Sequence, residues 1–234
     1  MSPKKGRENT SMDYRHEWKH IITAADRIAL RQRLQAVCKP DRHGTNGRYL
    51  VRSLYFDNLQ DKALREKLEG VSRREKFRIR CYDHNHTFLR LECKRKLAGL
   101  GHKDSCPLSA QEVQAIGQGD LQWMVQDERT LVQELYSKMR TQGLQPRTLV
   151  EYTREAYLFP AGNVRVTLDY DIRTGLGCTD LLDRDCPTVA VPDDPILLEV
   201  KWDAFLPDII RDAIQLEGVH TTAFSKYAAC RRYD

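Results

Sequence analysis

Lys76, Arg78 and Arg80 recur at every second position of R-E-K-F-R-I-R-C-Y, and Arg90, Glu92, Lys94 and Lys96 do the same in L-R-L-E-C-K-R-K. At the period of a strand these side chains share one face, while Phe77, Ile79, Cys81, Leu89, Leu91 and Cys93 share the other. A hairpin turning near His84 to His86 sets Arg80 opposite Arg90, Arg78 opposite Glu92 and Lys76 opposite Lys94. Two of these pairs are like-charged, each costing about 0.2–1 kcal/mol, so a fold that keeps them invites a compensating anion. The plain alternative is a half-buried strand pair with a solvated charged face, and the choice depends on whether other strands join it.

Other strands carry the same pattern. Arg15, Glu17 and Lys19 share a face in R-H-E-W-K, with Trp18 and Ile22 on the other. Tyr152 and Arg154 share one in the long run that Pro146 begins, and Arg165, Thr167, Asp169, Asp171 and Arg173 share one in V-R-V-T-L-D-Y-D-I-R. Glu199 and Lys201 alternate with Leu198, Val200 and Trp202. R-Y-L-V-R-S-L-Y-F-D is a more apolar strand.

Helices lie between these strands. Thr23 with Asp26 starts one running to about Val37, and Asp57 or Asn58 caps another through Leu68. Ser109-Ala-Gln-Glu112 is a capping box for a short helix, 121–142 reads as one core-facing helix stopped by Gly143, and Pro207 opens a helix to about Leu216. The segment 223–233 also reads as helical. Ala98 to Pro107 reads as a flexible basic loop, and Thr174 to Pro195 as loop with one short strand. Residues 1–11 are a polar basic tail before a single domain over 12–234.

The chain has 234 residues, 41% of them hydrophobic, which suffices for one core. A net charge of +5 with 30% charged residues suits an anionic partner without separating nucleic acid from small phosphates. The seven cysteines include no C-x-x-C pair and no histidine at zinc spacing, so they read as reduced core thiols. No signal-peptide core and no run of 18 apolar residues is present, which places the chain in the cytoplasm without a membrane segment of its own.

The apolar strand faces need cover and the amphipathic helices can supply it. With the helices outside, the charged faces must look at one another. The expected fold is therefore α+β: an antiparallel β-barrel tunnel with a polar, basic lumen and helices packed outside. An open sheet gripping RNA would interleave aromatics with the cations, and these charged faces hold almost none, so phosphate is favoured and no nucleic acid is expected.

The ordered motifs R-H-E-W-K, S-L-Y-F-D, K-F-R-I-R, L-E-C-K, Y-T-R-E-A, L-D-Y-D-I, L-E-V-K and S-K-Y resemble the VTC domain, the catalytic domain of the vacuolar transporter chaperone polyphosphate polymerases, within the triphosphate tunnel metalloenzyme superfamily. The resemblance spans nearly the whole chain. It implies an enzyme that passes the γ-phosphoryl group of ATP or another nucleoside triphosphate to a growing inorganic polyphosphate, with Mn²⁺ or Mg²⁺ as cofactor. Carried over residue by residue, Lys19, Arg78, Arg80, Lys94, Arg154 and Lys226 contact phosphates, Lys76, Lys96, Lys201 and Ser225 support them, and Glu199 holds the metal. Glu17 and Glu92 are open between metal ligation and orienting the cations beside them, and the same caution covers Asp169 and Asp171.

Two other readings remain. Hydrolytic members of the superfamily resemble a first-strand E-x-E-x-K, and here Arg15 stands in place of the first glutamate, which weakens a triphosphatase. A non-catalytic polyphosphate or RNA binding module is the third. The phosphate-sensing and membrane domains of the eukaryotic complexes have no counterpart in these motifs, so export would need a membrane partner.

Overall fold

Alternation of apolar and charged residues builds one antiparallel sheet in which each strand gives its apolar face to helices and its charged face to a concave interior. The computed structural model describes residues 15–44, 47–97, 100–218 and 220–233, so the tail expected over 1–11 lies outside it. In chain order the elements are β1 (His16–Ile22), α1 (Ala24–Val37), β2 (Lys39–Pro40), β3 (Arg48–Asp57), α2 (Lys62–Leu68), β4 (Arg73–Tyr82), β5 (Leu89–Leu97), β6 (Leu100–Leu108), α3 (Ala110–Gln118), α4 (Thr130–Gln142), β7 (Gln145–Phe159), β8 (Val164–Thr174), β9 (Val189–Ala190), β10 (Ile196–Trp202), α5 (Asp208–Ala213) and α6 (Lys226–Cys230). The strands run β1-β10-β8-β7-β3-β4-β5-β6, with β2 beside β7 and β9 beside β8.

The sheet curls into a half-barrel. Among the described residues its outer strands β1 and β6 share no ladder. Part of the free edge of β1 is covered by the approach to α6, where the Thr222 N–H donates to the Lys19 carbonyl at 2.7 Å and His20 bridges Thr221.

The convex face carries two cores. Leu54, Phe56, Phe77, Ile79, Leu91 and Cys93 pack under α3 and α4, and Leu30 and Leu34 of α1 with Ile210 of α5 cover Val166, Leu168, Leu198 and Val200. Burial of each such side chain contributes about 1.5–3 kcal/mol. On the concave face, Tyr55, Val150, Tyr152, Ile172 and Leu197 gather around Tyr227 of α6, which closes one end.

The hairpin register is the one the alternation requires: Lys76 faces Lys94, Arg78 faces Glu92 and Arg80 faces Arg90. Thr23 and Ser109 both form full capping boxes. Asp57 and Asn58 both hold the start of α2, Asp57 accepting from the Ala63 and Leu64 N–H groups and Asn58 from that of Lys62.

Four expectations need correction. Most of the loop expected over 98–107 is strand β6, held by the edge of β5; its polar residues need only the pairing, because Cys106 and Leu108 supply its buried contacts. The single helix over 121–142 is a 3-10 turn, Gln122–Gln126, followed by α4, since Asp127 is extended and its side chain binds the Arg129 N–H. A bulge in β8 puts Asp171 in the left-handed region at φ 51°. Beyond it the parity flips, so that Ile172 joins the concave cluster while Arg173 turns to Thr188. Finally, Cys178 and Cys186 form a disulfide; the other five cysteines are buried thiols. Among the described residues no helix is long and apolar enough to cross a membrane.

Candidate functional site

The concave face encloses a cavity of about 520 Å³. It is lined by every residue that the motifs singled out for phosphate or metal: Lys19, Arg78, Arg80, Lys94, Arg154, Lys226, Lys76, Lys96, Lys201, Ser225, Glu199 and Glu17. Residues from both ends of the chain meet there because β1 pairs with β10, setting Lys19 opposite Glu199 and Glu17 opposite Lys201. Arg15 does not join them: it lies outside β1, held by Asp203 at 2.7 Å and by the Asn163 carbonyl.

Three groups of charge line the wall. In the first, Glu17 and Glu199 stand among three lysines. Glu17 lies 3.4 Å from Lys19 and 3.5 Å from both Lys94 and Lys201; Glu199 contacts Lys201 directly and lies 3.7 Å from Lys19. Burial would raise the Glu199 carboxyl, but Lys201, Lys19, Arg154 and Lys226 hold it well below the ordinary range. Glu17 is also lowered: burial and the Glu199 charge oppose ionisation, and Lys94, Lys19 and Lys201 outweigh them. Both carboxylates are therefore charged. Lys94 shows the opposite balance, since burial, then Lys201 and Lys19, outweigh Glu17 and bring its ammonium down to about 7.

The second group is the fully buried Asp169. It accepts both arms of Arg154 at 2.6 and 2.7 Å and the Lys226 ammonium at 2.7 Å. Against burial, Arg154 and Lys226 bring its carboxyl down to about 2. Asp169 is thus an ion-pair partner that orients two cations, and Asp171, in the bulge and exposed, takes no part.

The third group surrounds Tyr55. Arg78 donates to its hydroxyl at 2.8 Å and to Glu92 at 2.7 Å, while Lys103 donates to Glu92 at 2.8 Å. Arg80 donates to Ser53 at 3.0 Å and to the Tyr152 hydroxyl at 3.1 Å. Burial alone would raise the Tyr55 phenol, but Arg78, Lys76 and Arg80 pull it to about 7. Lys76 falls to about 8 because burial outweighs the attraction of Tyr55. Glu92 accepts from Arg78 on one oxygen and from Lys103 on the other, and so orients these cations.

The charged face therefore holds Tyr152, which alternation had set beside Arg154, and Tyr55, which it had not singled out. Their roles differ from base stacking: the Tyr55 ring stacks on Tyr227 at 5.0 Å, the Tyr227 hydroxyl donates to Asp57 at 2.6 Å, and Lys226 sits over the Tyr152 ring at 4.5 Å. Tyr55 and Tyr152 each share strand parity with a polar lumen residue, Ser53 and Arg154, which was the available signal. Lys67, contributed by α2, lines the cavity too and carried no strand signal at all.

Glu17 and Glu199 are the groups that fit a divalent cation. The buried Glu17 Oε1 makes no hydrogen bond, and both carboxylates present hard oxygen donors to the cavity. Among the described residues there is no cluster of three His, Cys, Asp or Glu side chains. The pair therefore suits an ion such as Mg²⁺ or Mn²⁺ that takes one or two carboxylates and completes its shell with phosphate oxygens and water.

The family model of the VTC domain matches residues 14–233. No curated protein matches the chain. Among solved structures, the PH1819 protein of Pyrococcus horikoshii OT3 is similar at 14% identity and a TM-score of 0.43, with 86% of this chain and 84% of that one covered. A Bacillus halodurans protein described provisionally as an adenylate cyclase is similar at 14% identity and a TM-score of 0.47, over 79% of this chain and 78% of that one.

Proposed function

From the premise that the chain belongs to the VTC domain family, we propose that it is a polyphosphate polymerase using ATP. A terminal oxygen of the phosphate chain forms a bond to the γ-phosphorus, the bond from that phosphorus to the β,γ-bridging oxygen breaks, and ADP leaves with the electron pair. The observation that carries this reading is a cavity walled by lysines and arginines around two ionised carboxylates, Glu17 and Glu199.

Phosphoryl transfer asks the protein mainly for alignment and neutralisation of oxygen charge. Arg78, Arg80, Arg154 and Lys226 would grip the phosphates in fixed directions, since Ser53, Tyr152, Glu92 and Asp169 already orient them. Lys19, Lys94 and Lys201 would exchange their shared carboxylates for phosphate oxygens, leaving Glu17 and Glu199 to a Mn²⁺ or Mg²⁺ ion. When bound, that ion supplies further neutralisation of the transferring group. Lys76, Lys96 and Ser225 would hold the remaining chain.

Arginine at position 15, where hydrolytic members carry the first glutamate, favours the polymerase over a triphosphatase, because the first strand then contributes one carboxylate, Glu17, instead of two. The curled sheet encloses its cations, which disfavours nucleic acid as a ligand. The activity suits the cytoplasm, where ATP is supplied, and product would stay there unless a membrane partner exported it.

Incubation of the purified protein with ATP and Mn²⁺ or Mg²⁺, with and without a short polyphosphate primer, tests this directly. Chains should lengthen on a gel as ADP forms. Orthophosphate as the sole phosphate product would replace the polymerase with a hydrolase, and binding without turnover would leave a binding module.

A further inference from the structure

A second cavity, of about 470 Å³, borders the phosphate cavity, and its size falls within the range of about 300–1,000 Å³ usual for small-molecule sites. The two share Lys67, Ala223, Phe224 and Ser225 in their linings. Helix α6 stands between them: Lys226 and Tyr227 line the first cavity, Ala228 and Ala229 the second.

The chemistry changes within one step of the sheet. Glu17, Lys19 and Ile21 share a face of β1; the first two line the phosphate cavity and the third lines its neighbour. In the ladder, Lys19 faces Glu199 and Ile21 faces Leu197 two residues further on, an advance of about 7 Å. Beyond that step the wall is mainly apolar, built from Ile21, Leu68, Val191, Pro192 and Phe224. Ile21 and Leu68 are 47% and 70% exposed, so large apolar side chains are left uncovered around a concavity, as in a ligand site.

Charge narrows the choice of ligand. The lining holds two carboxylates, Asp193 and Asp194, against two cations, Lys67 and Arg232, whereas in the phosphate cavity the cations are in excess. A further run of phosphate would meet the two carboxylates and gain little from a balanced lining. An uncharged group with a flat apolar body and polar hydrogens suits it, because the body covers the apolar wall and the exposed carboxylates accept the hydrogens.

We infer that the second cavity takes the nucleoside of the nucleoside triphosphate, its rings against Ile21, Leu68 and Phe224 and its hydroxyl and amino hydrogens on Asp193 and Asp194. This deepens the polymerase reading and rests on it for the triphosphate, which spans from the shared border to Glu17 and Glu199.

The test compares the binding of ATP and of inorganic tripolyphosphate, by titration calorimetry at equal Mg²⁺, in the unaltered chain and in two variants. Ala229→Phe fills the second cavity from α6. Asp193→Asn/Asp194→Asn removes both carboxylates and keeps the backbone, since φ is 66° and 35° at these positions and asparagine accepts the left-handed region. Each variant should weaken ATP about tenfold, with tripolyphosphate affinity within about twofold. Should Ala229→Phe fail to fold, the asparagine pair carries the test.

Equal weakening for both ligands would show that these residues serve the phosphates alone and overturn the inference, as would an ATP affinity unchanged in the asparagine pair. Elongation from ATP is scored separately. Selective loss of ATP binding in a protein that makes no polymer would sustain the nucleoside cavity and remove the polymerase; elongation by a protein whose ATP affinity ignores both variants would keep the polymerase and remove the nucleoside cavity.

Discussion

The charges outside the sheet and those inside it are built differently. On the convex side Glu155 accepts from Arg31 at 2.9 and 2.5 Å, from Tyr170 at 2.9 Å and from Tyr157 at 3.3 Å. Arg52 donates to Glu151 at 2.6 Å and to the carbonyls of Asp183 and Asp180 at 2.7 and 3.1 Å. Inside, Glu17 is shared by three lysines at 3.4–3.5 Å and keeps one oxygen without a hydrogen bond. Short contacts to dedicated partners leave nothing for a ligand. Longer contacts to a shared partner can be traded for phosphate oxygens at little cost, and that sets Glu17 and its lysines apart from the convex pairs, whereas Asp169 and Glu92 hold Arg154, Lys226 and Arg78 as closely as the convex carboxylates hold theirs.

The contrast breaks if activity and stability respond to the same residues. The largest effect expected is on turnover: Glu199→Ala and Lys94→Ala should each lower polymer synthesis about a hundredfold to a thousandfold while the melting temperature stays near that of the unaltered protein. Full activity in either variant would remove the site assignment. Next, Arg52→Ala leaves Glu151 buried without its partner and should cost about 3–5 kcal/mol in denaturant unfolding, with anion affinity unchanged in the folded fraction.

A pH series sharpens the same comparison. The Tyr55 phenol and the Lys76 ammonium both sit lower in the folded protein, at about 7 and about 8, than in an unfolded chain, where they titrate near 10 and 10.5. Between these limits the unfolded chain holds more protons, so stability should rise with pH from about 7 to 10. Conversely, the contribution of Tyr55 is lost as pH falls through 7. Tyr55→Phe should flatten the dependence of melting temperature on pH; an unchanged slope would show that Tyr55 does not titrate there. An entering polyanion favours the protonated forms, so binding at pH 8 should take up protons, measured as a dependence of the calorimetric heat on buffer ionisation. The smallest effect belongs to the convex side alone: Thr23→Ala removes one capping box and should cost about 1 kcal/mol without altering turnover.

Much of this was legible in the sequence because a period of two is explicit. The register of β4 and β5, and the meeting of Glu17, Lys19, Glu199 and Lys201, follow from alternation alone once the faces are turned inward. What alternation cannot carry was lost. Strand β6 is polar along most of its length and exists because β5 offers an edge; Asp171 changes the parity of β8 through its own backbone; the Cys178–Cys186 bond depends on a loop with no periodicity. Among cavity residues, Tyr55 hid in an apolar-looking strand, and Lys67 and Arg74 hid because a helix position and a strand end carry no sign of facing inward.

The unpaired seam between β1 and β6 has a consequence for how a polymer would leave. A barrel closed by hydrogen bonds releases a long chain only end first, so each chain once entered would be extended to completion. Among the described residues no ladder joins β1 to β6; Glu17 of β1 reaches Lys94 of β5 at 3.5 Å, and the backbone contacts on the β1 edge are those of Lys19 and His20 with Thr222 and Thr221. For the proposed polymerase, sideways escape then competes with each addition, and the spread of product lengths becomes a measure of how often the seam opens.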